Sequence, residues 1–264
     1  MKSAVSISTG SVPRVENRIA MKPLAPRTLL DSPELEFVSR RFQTRIPSGL
    51  ARPAPTELQL WRFRPEWRAM SREAGYDCLS KAELARIRNT PNPVLGKRFA
   101  VGRAVLREIL AGIEGCPASD IALSEGVGGR LKLTGDHAPL SISIAYAGIW
   151  ILAGISTRPL GLAASMPGVN PPTVDEIDSI ERHVELRSQV RHASLVDAAG
   201  TPGGLAIVAA DSHTLSIDDP IVRIDTPHAG HWQVLDLPMP GAIYAAAAVT
   251  YPVRRVTAFG WGDR

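Results

Sequence analysis

Six histidines and two cysteines are the residues of this chain best suited to metal binding or nucleophilic chemistry, and their spacing supports neither. Structural zinc takes four ligands and catalytic zinc usually three plus an open position. His228 and His231 stand three apart in a Pro/Gly loop without a third ligand, and His137, His183, His192 and His213 are scattered. Cys78 and Cys116 belong to no CxxC or His-flanked pattern, which predicts packing roles and a reducing, cytoplasmic compartment. No metal is assigned from these residues.

Charge and composition narrow the class further. The chain has 264 residues with a formal net charge of +4, enough length for one large core or two smaller ones. The positive balance is local. Residues 1–56 hold nine Lys and Arg against four Asp and Glu, whereas 57–264 hold 21 against 22. A nearly neutral body argues against a nucleic-acid partner, and the basic leader reads as a Pro-rich, disordered arm. The N-terminus lacks the apolar core of a secretory signal, and no run of about 18 apolar residues is present to span a bilayer. A monomer is expected.

Elements follow from periodicity and punctuation. The arm, 1–56, has no sustained period apart from a short helical piece around Glu34 to Phe42. Alternation at Glu57 to Phe63 predicts a half-buried strand. Ser80 with Glu83 three residues on has the spacing of a capping box, which predicts a helix from Lys81 to about Asn89. Apolar residues at Val101, Val105, Leu106 and Ile109 predict an amphipathic helix over Leu95 to Ile113, ended by Gly112 and Gly115. Strands are predicted at Ile121–Leu123, Leu131–Leu133, two within Leu140–Ile155, and Leu160–Ala164. A helix from about Val174 to Arg191 or beyond comes next, then strands at Leu205–Ala209, Val222–Asp225, Trp232–Leu237, Ala242–Thr250 and Arg255–Ala258. Two successive units, each a helix with several antiparallel strands, predict an α+β pseudo-duplicated fold. Its lobes are 57–158 and 159–264, related by a pseudo-twofold, each a long helix packed on a small antiparallel sheet.

Over roughly residues 57–252 this order resembles the surfactin-type 4'-phosphopantetheinyl transferases. "LSKAELARIRN" resembles the family's opening helix and "GKRFAVGRAVLREIL" its long helix, with Arg98, Arg103 and Arg107 in the basic positions. "GVGGRLKL" is similar to the "GKP" turn and puts Arg130 where a phosphate-contacting lysine is expected. "WQVLDLPMPGAIYAAAAV" resembles the closing hairpin, and "PLGLAAS" the metal-binding strand. The resemblance implies a coenzyme A site, with Arg98, Arg103 and Arg130 on its phosphates, a Mg²⁺ ion, and an acyl- or peptidyl-carrier protein whose serine receives phosphopantetheine.

At the metal and base positions the chain departs from the family. Where the family strand reads P-[IL]-G-[IVL]-D-[IV]-E, the carboxylates are replaced by Ala163 and Ser165. "QVRHASLVDAAGTPGGL" resembles "WxxKEAxxKxxGxGL" with His192 for the first Lys, Ala193 for the third acid and Asp197 for the second Lys. Tyr146 replaces a phosphate-binding histidine. Mg²⁺ is held through carboxylates and substrate phosphates, so a cleft without its acids implies a protein inactive in the family reaction and kept for binding a carrier protein or a pantetheine-bearing ligand. A second expectation is a repurposed, metal-independent enzyme, with His192 as general base or acid, Asp197 orienting it and Tyr146 donating a proton. A third is residual phosphopantetheinyl transfer.

Overall fold

The computed structural model describes residues 29, 33–68, 76–126, 129–135, 137, 139–168, 176–199, 219–226, 230–250 and 252–262. Among them the fold is α+β, with three α-helices and two sheets. In chain order the elements are β1 (Glu36–Arg40), β2 (Glu57–Phe63), α1 (Lys81–Asn89), α2 (Pro93–Glu114), β3 (Ala122–Glu125), β4 (Leu131–Thr134), β5 (Ser141–Ala147), β6 (Trp150–Ser156) and β7 (Leu160–Ser165). These are followed by α3 (Glu176–Ala199), β8 (Ile221–Thr226), β9 (Gly230–Asp236), β10 (Tyr244–Thr250) and β11 (Arg255–Phe259).

Seven strands form the first sheet in the order β1-β11-β2-β6-β5-β4-β3, and four form the second, β7-β10-β9-β8. The second is antiparallel throughout. The first is mixed, because β1 and β2 both run parallel to β11 between them. The expectation of a small antiparallel sheet in each unit is thus corrected for the first sheet, which is seven-stranded and mixed, while the four-stranded second sheet has that form. The helical piece expected near Glu34 to Phe42 is corrected as well, since it is the strand β1. Five residues with no 3.6 period take the conformation that a neighbouring strand edge can hydrogen-bond. Part of the segment read as a disordered arm is therefore seated on the fold, with Leu29 and Leu35 buried. The predicted strand at Leu205–Ala209 lies outside the described residues.

Alternation along the strands builds three apolar layers. In β2, Leu58 and Leu60 point to one face of the first sheet and Trp61 and Phe63 to the other, the period of two of a strand buried on both sides. The first face meets Leu160 and Leu162 of β7 and Ala245, Ala247 and Val249 of β10, so the two sheets share one central core. The second face of the first sheet packs on Val101, Val105, Leu106 and Ile109 of α2. The far face of the second sheet, through Val234, Ala246 and Ala248, packs on Val190, Leu195 and Ala198 of α3. The order of layers is helix, sheet, sheet, helix.

The helices are fastened by charge as well as by apolar contact. Ser80 caps α1, its hydroxyl accepting from the Glu83 N–H at 3.2 Å while the Glu83 carboxylate accepts from the Ser80 N–H at 2.8 Å. The same carboxylate receives Arg107 of α2 in a two-pronged pair, 3.1 and 2.7 Å. Burial pushes the Glu83 carboxyl up, but the Arg107 and Ser80 hydrogen bonds outweigh this and hold it below the ordinary carboxylate range. On α3, Arg187 and Arg191 both donate to Asp236 at the end of β9.

Candidate functional site

The site expected from the sequence is built where α3 crosses β7. Gly161, Ala163 and Ser165 share one face of that strand, and Leu160, Leu162 and Ala164 share the other, in the central core. Helix and strand approach most closely at Gly161. A Cβ there would lie 2.2 Å from the Ser194 carbonyl oxygen and 2.2 Å from the Ala198 nitrogen, both backbone atoms, so only glycine fits. Ala163 continues this face against the Val190, Leu195 and Ala198 cluster. Ala193 is exposed on α3.

Asp197, one turn along α3 from Ala193, is committed to holding the sheets together. Its Oδ2 accepts from the Ser143 hydroxyl of β5 at 2.5 Å and from the Leu162 N–H of β7 at 3.0 Å. Ser143 Oγ in turn accepts from the Leu162 N–H at 2.9 Å, and Ser141 Oγ from the Leu160 N–H at 3.1 Å. Two serine side chains and one carboxylate thus satisfy the β7 edge where it passes β5, donors that would otherwise be buried without partners. The role expected of Asp197, orienting His192, gives way to this structural one.

Tyr146 lies on the opposite side of β5 from Ser143, because residues three apart in a strand face opposite ways. Its ring packs with the α2 layer, and its hydroxyl lies against Gly102, where a Cβ would come within 2.8 Å of it. The hydroxyl is buried and has no hydrogen-bond partner among the described residues. Burial pushes it up to about 12, against the nearby charges of Arg103 and Arg98. His192 is half-buried on α3. At 3.6 residues per turn, positions five apart point about 140° away from each other, so His192 and Asp197 leave the helix on different sides. The expected set of Tyr146, His192 and Asp197 is not brought together, and the repurposed enzyme loses its geometric basis.

The expected coenzyme A cations are also differently used. Arg103 is buried, ion-paired with Glu125 and 3.8 Å from Glu83, and Arg107 is spent on Glu83. Arg103 is therefore not available to a phosphate. The reason is the cap of α1, which carries a carboxylate onto the face of α2 where free cations were expected. Arg98 donates to the Gly148 carbonyl in the β5–β6 turn and covers the Tyr146 ring at 5.2 Å. Arg130 stays half-exposed, with no side-chain partner among the described residues. The residues at the family's metal positions, Ala163, Ser165 and Ala193, do not fit Mg²⁺, which needs hard anionic oxygens. Among the described residues no three His, Cys, Asp or Glu side chains gather as a metal site.

Two features escaped the sequence reading. Around the Arg98–Gly148 contact stand the exposed apolar residues Val94 (66%), Leu95 (43%), Ile149 (46%) and Met166 (45%), with the Met166 sulfur beside Gly148. At the far end of β2, Arg41, Arg62 and Arg64 share a cavity of about 480 Å³ with Phe42, Trp67 and Trp150. The first was legible only as single apolar residues outside the helical stripe, the second as the dipeptide spacing Arg62-x-Arg64.

No family model matches the chain, and no curated protein matches it. No described helix is long and apolar enough to cross a membrane.

Proposed function

We propose that the chain is a degenerate relative of the 4'-phosphopantetheinyl transferases, with the two-lobed, pseudo-twofold plan of that family, inactive in phosphopantetheine transfer and kept to bind a carrier protein or a pantetheine-bearing ligand. The observation that carries this reading is the crossing of α3 over β7. There the column Gly161, Ala163 and Ser165 offers no carboxylate, and Asp197 is held by Ser143 and Leu162. Losing a ligand or its support lowers metal affinity by about 10–100-fold, and three family positions have lost theirs together.

A binding role is supported by the rim around Gly148. Leu95, Ile149 and Met166 present apolar surface beside Arg98, which contacts Gly148, and the neighbouring Lys97 on α2. Exposed apolar residues framed by positive charge suit an acidic partner that also offers apolar side chains. Calorimetric titration with apo and holo carrier proteins and with coenzyme A is expected to give saturable heat with at least one, and Ile149→Glu is expected to abolish the heat given by a carrier protein. No heat in any titration refutes binding. Incubation with coenzyme A, Mg²⁺ and apo carrier protein is expected to leave the carrier mass unchanged; a phosphopantetheine adduct would refute inactivity.

A further inference from the structure

The cavity at the end of β2 has the composition of an anion site and no anion of its own. Strand alternation puts Arg62 and Arg64 on the face shared with Leu58 and Leu60, beyond the point where that apolar row ends. Arg62 is fixed. Its Nε and Nη2 donate to the Gly260 carbonyl at 3.1 and 2.6 Å and its Nη1 to the Pro238 carbonyl at 3.2 Å. Its guanidinium carbon also lies 5.1 Å from the Trp150 ring centroid and 4.6 Å from that of Trp261. Every one of those partners is neutral, so the positive charge remains.

Arg64 is held only by rings. Its guanidinium carbon is 4.1 Å from the Trp150 centroid and 5.8 Å from that of Trp67. Its Nε is buried without a hydrogen-bond partner among the described residues, an arrangement that is unfavourable for a donor on a charged group. Besides Arg62 and Arg64 the cavity wall carries Arg41, Phe42, Trp67 and Trp150, and no Asp or Glu lines it. Burial first, and then the like charge of Arg64, pull Arg62 down to about 10. Its volume of about 480 Å³ lies in the range of small-molecule sites, about 300–1,000 Å³.

We infer that this cavity binds a small organic oxyanion, a carboxylate or phosphate carried on an aromatic or apolar body, with the anionic group on Arg64 and the body against Trp67 and Phe42. A guanidinium pairs bidentately with either oxyanion, and the ring walls favour a body that stacks over a bare ion. The cavity shares no lining residue with the α3–β7 crossing or the Gly148 rim, although Trp150 directly follows Ile149 of that rim, and small anions need no carrier protein to bind.

Tryptophan fluorescence reads the site directly, since Trp67 and Trp150 line it. Phenyl phosphate, phenylacetate, inorganic phosphate and neutral benzyl alcohol would each be titrated to about 10 mM, the weak end of specific affinity. Saturable quenching is expected with at least one aryl anion, which identifies phosphate or carboxylate as the preferred head, and not with benzyl alcohol. Arg64→Ala is expected to weaken that binding by about tenfold or more, the scale of a lost charge-assisted hydrogen bond. Arg64→Lys should restore part of it, both variants keeping the wild-type thermal midpoint within a few degrees. Equal affinity in Arg64→Ala, binding of benzyl alcohol as tight as the anions, inorganic phosphate matching phenyl phosphate, or no quenching by either aryl anion would each overturn the inference. If Arg64→Ala fails to fold, Arg64→Lys carries the comparison, and unchanged affinity and head-group preference there count against it.

Discussion

Tyr146 shows how one side chain can look catalytic in a sequence and be structural in the fold. Its hydroxyl lies against Gly102 with no hydrogen-bond partner among the described residues, so deleting it removes an unsatisfied polar atom. At neutral pH Tyr146→Phe is expected to leave stability unchanged or raise it by up to about 1 kcal/mol in urea unfolding. A loss larger than that would mean the hydroxyl has a partner. The pH dependence has a definite sign. Because the folded value is raised from 10.0 to about 12, the stability tied to the neutral phenol is intact below the unfolded value. It drains away as pH rises through this window, where the unfolded chain holds fewer protons. Tyrosinate absorbance near 295 nm should therefore show one phenol that resists titration up to about pH 12, absent from Tyr146→Phe.

At the scale of elements, the docking of α3 on β7 depends on one missing Cβ. Gly161→Ala would place a methyl 2.2 Å from two backbone atoms of α3, and backbone cannot yield as a flexible side chain can. Overpacking of this kind costs about 1–3 kcal/mol and sometimes more. Gly161→Ala is expected at the upper end, since shifting α3 also pulls Asp197 from Ser143 and Leu162. Gly168→Ala, where nothing lies within 4 Å of the added carbon, is the control and should change the urea midpoint little. Equal effects of the two variants would mean that α3 is not seated as described. The helices themselves were legible. Lys81–Asn89 has the predicted bounds, because a capping box is a local device, and α2, Pro93–Glu114, exceeds its predicted span by only two residues at the N-terminus and one at the C-terminus. The strand β1 was not, because its five residues carry no period and are held by pairing with β11, near the other end of the chain.

For the whole molecule, that pairing closes the first sheet around a strand contributed from after the second. Leu29, Leu35 and Phe37 enter the central core, Phe37 edge-on to Trp261 at 6.2 Å. Removing residues through Arg40 would uncover β11 and strip two leucines from the core, each worth about 1.5–3 kcal/mol when fully buried. The truncated chain is expected to lose about 3–6 kcal/mol in urea unfolding, a large share of a typical domain's stability. A truncated chain with an unchanged midpoint would show that β1 is an accessory strand.

By itself the sequence determined the local elements with strong signals: the capped α1, the amphipathic α2, the hairpin of β5 and β6, and the small-residue strand β7. It also showed that the residues at Ala163, Ser165 and Ala193 lack the acids its resemblance called for. Tertiary structure alone decided the partners of the polar groups. Tyr146 and Ser143 sit three apart, yet one faces α2 and the other α3. Arg103 and Arg107 meet the acids Glu83 and Glu125, and Arg62 and Arg64 meet tryptophans. Side-chain type is written residue by residue, but the pairing of a charge or hydroxyl is a contact between segments far apart in the chain, and only the packing of the four layers brings those segments together.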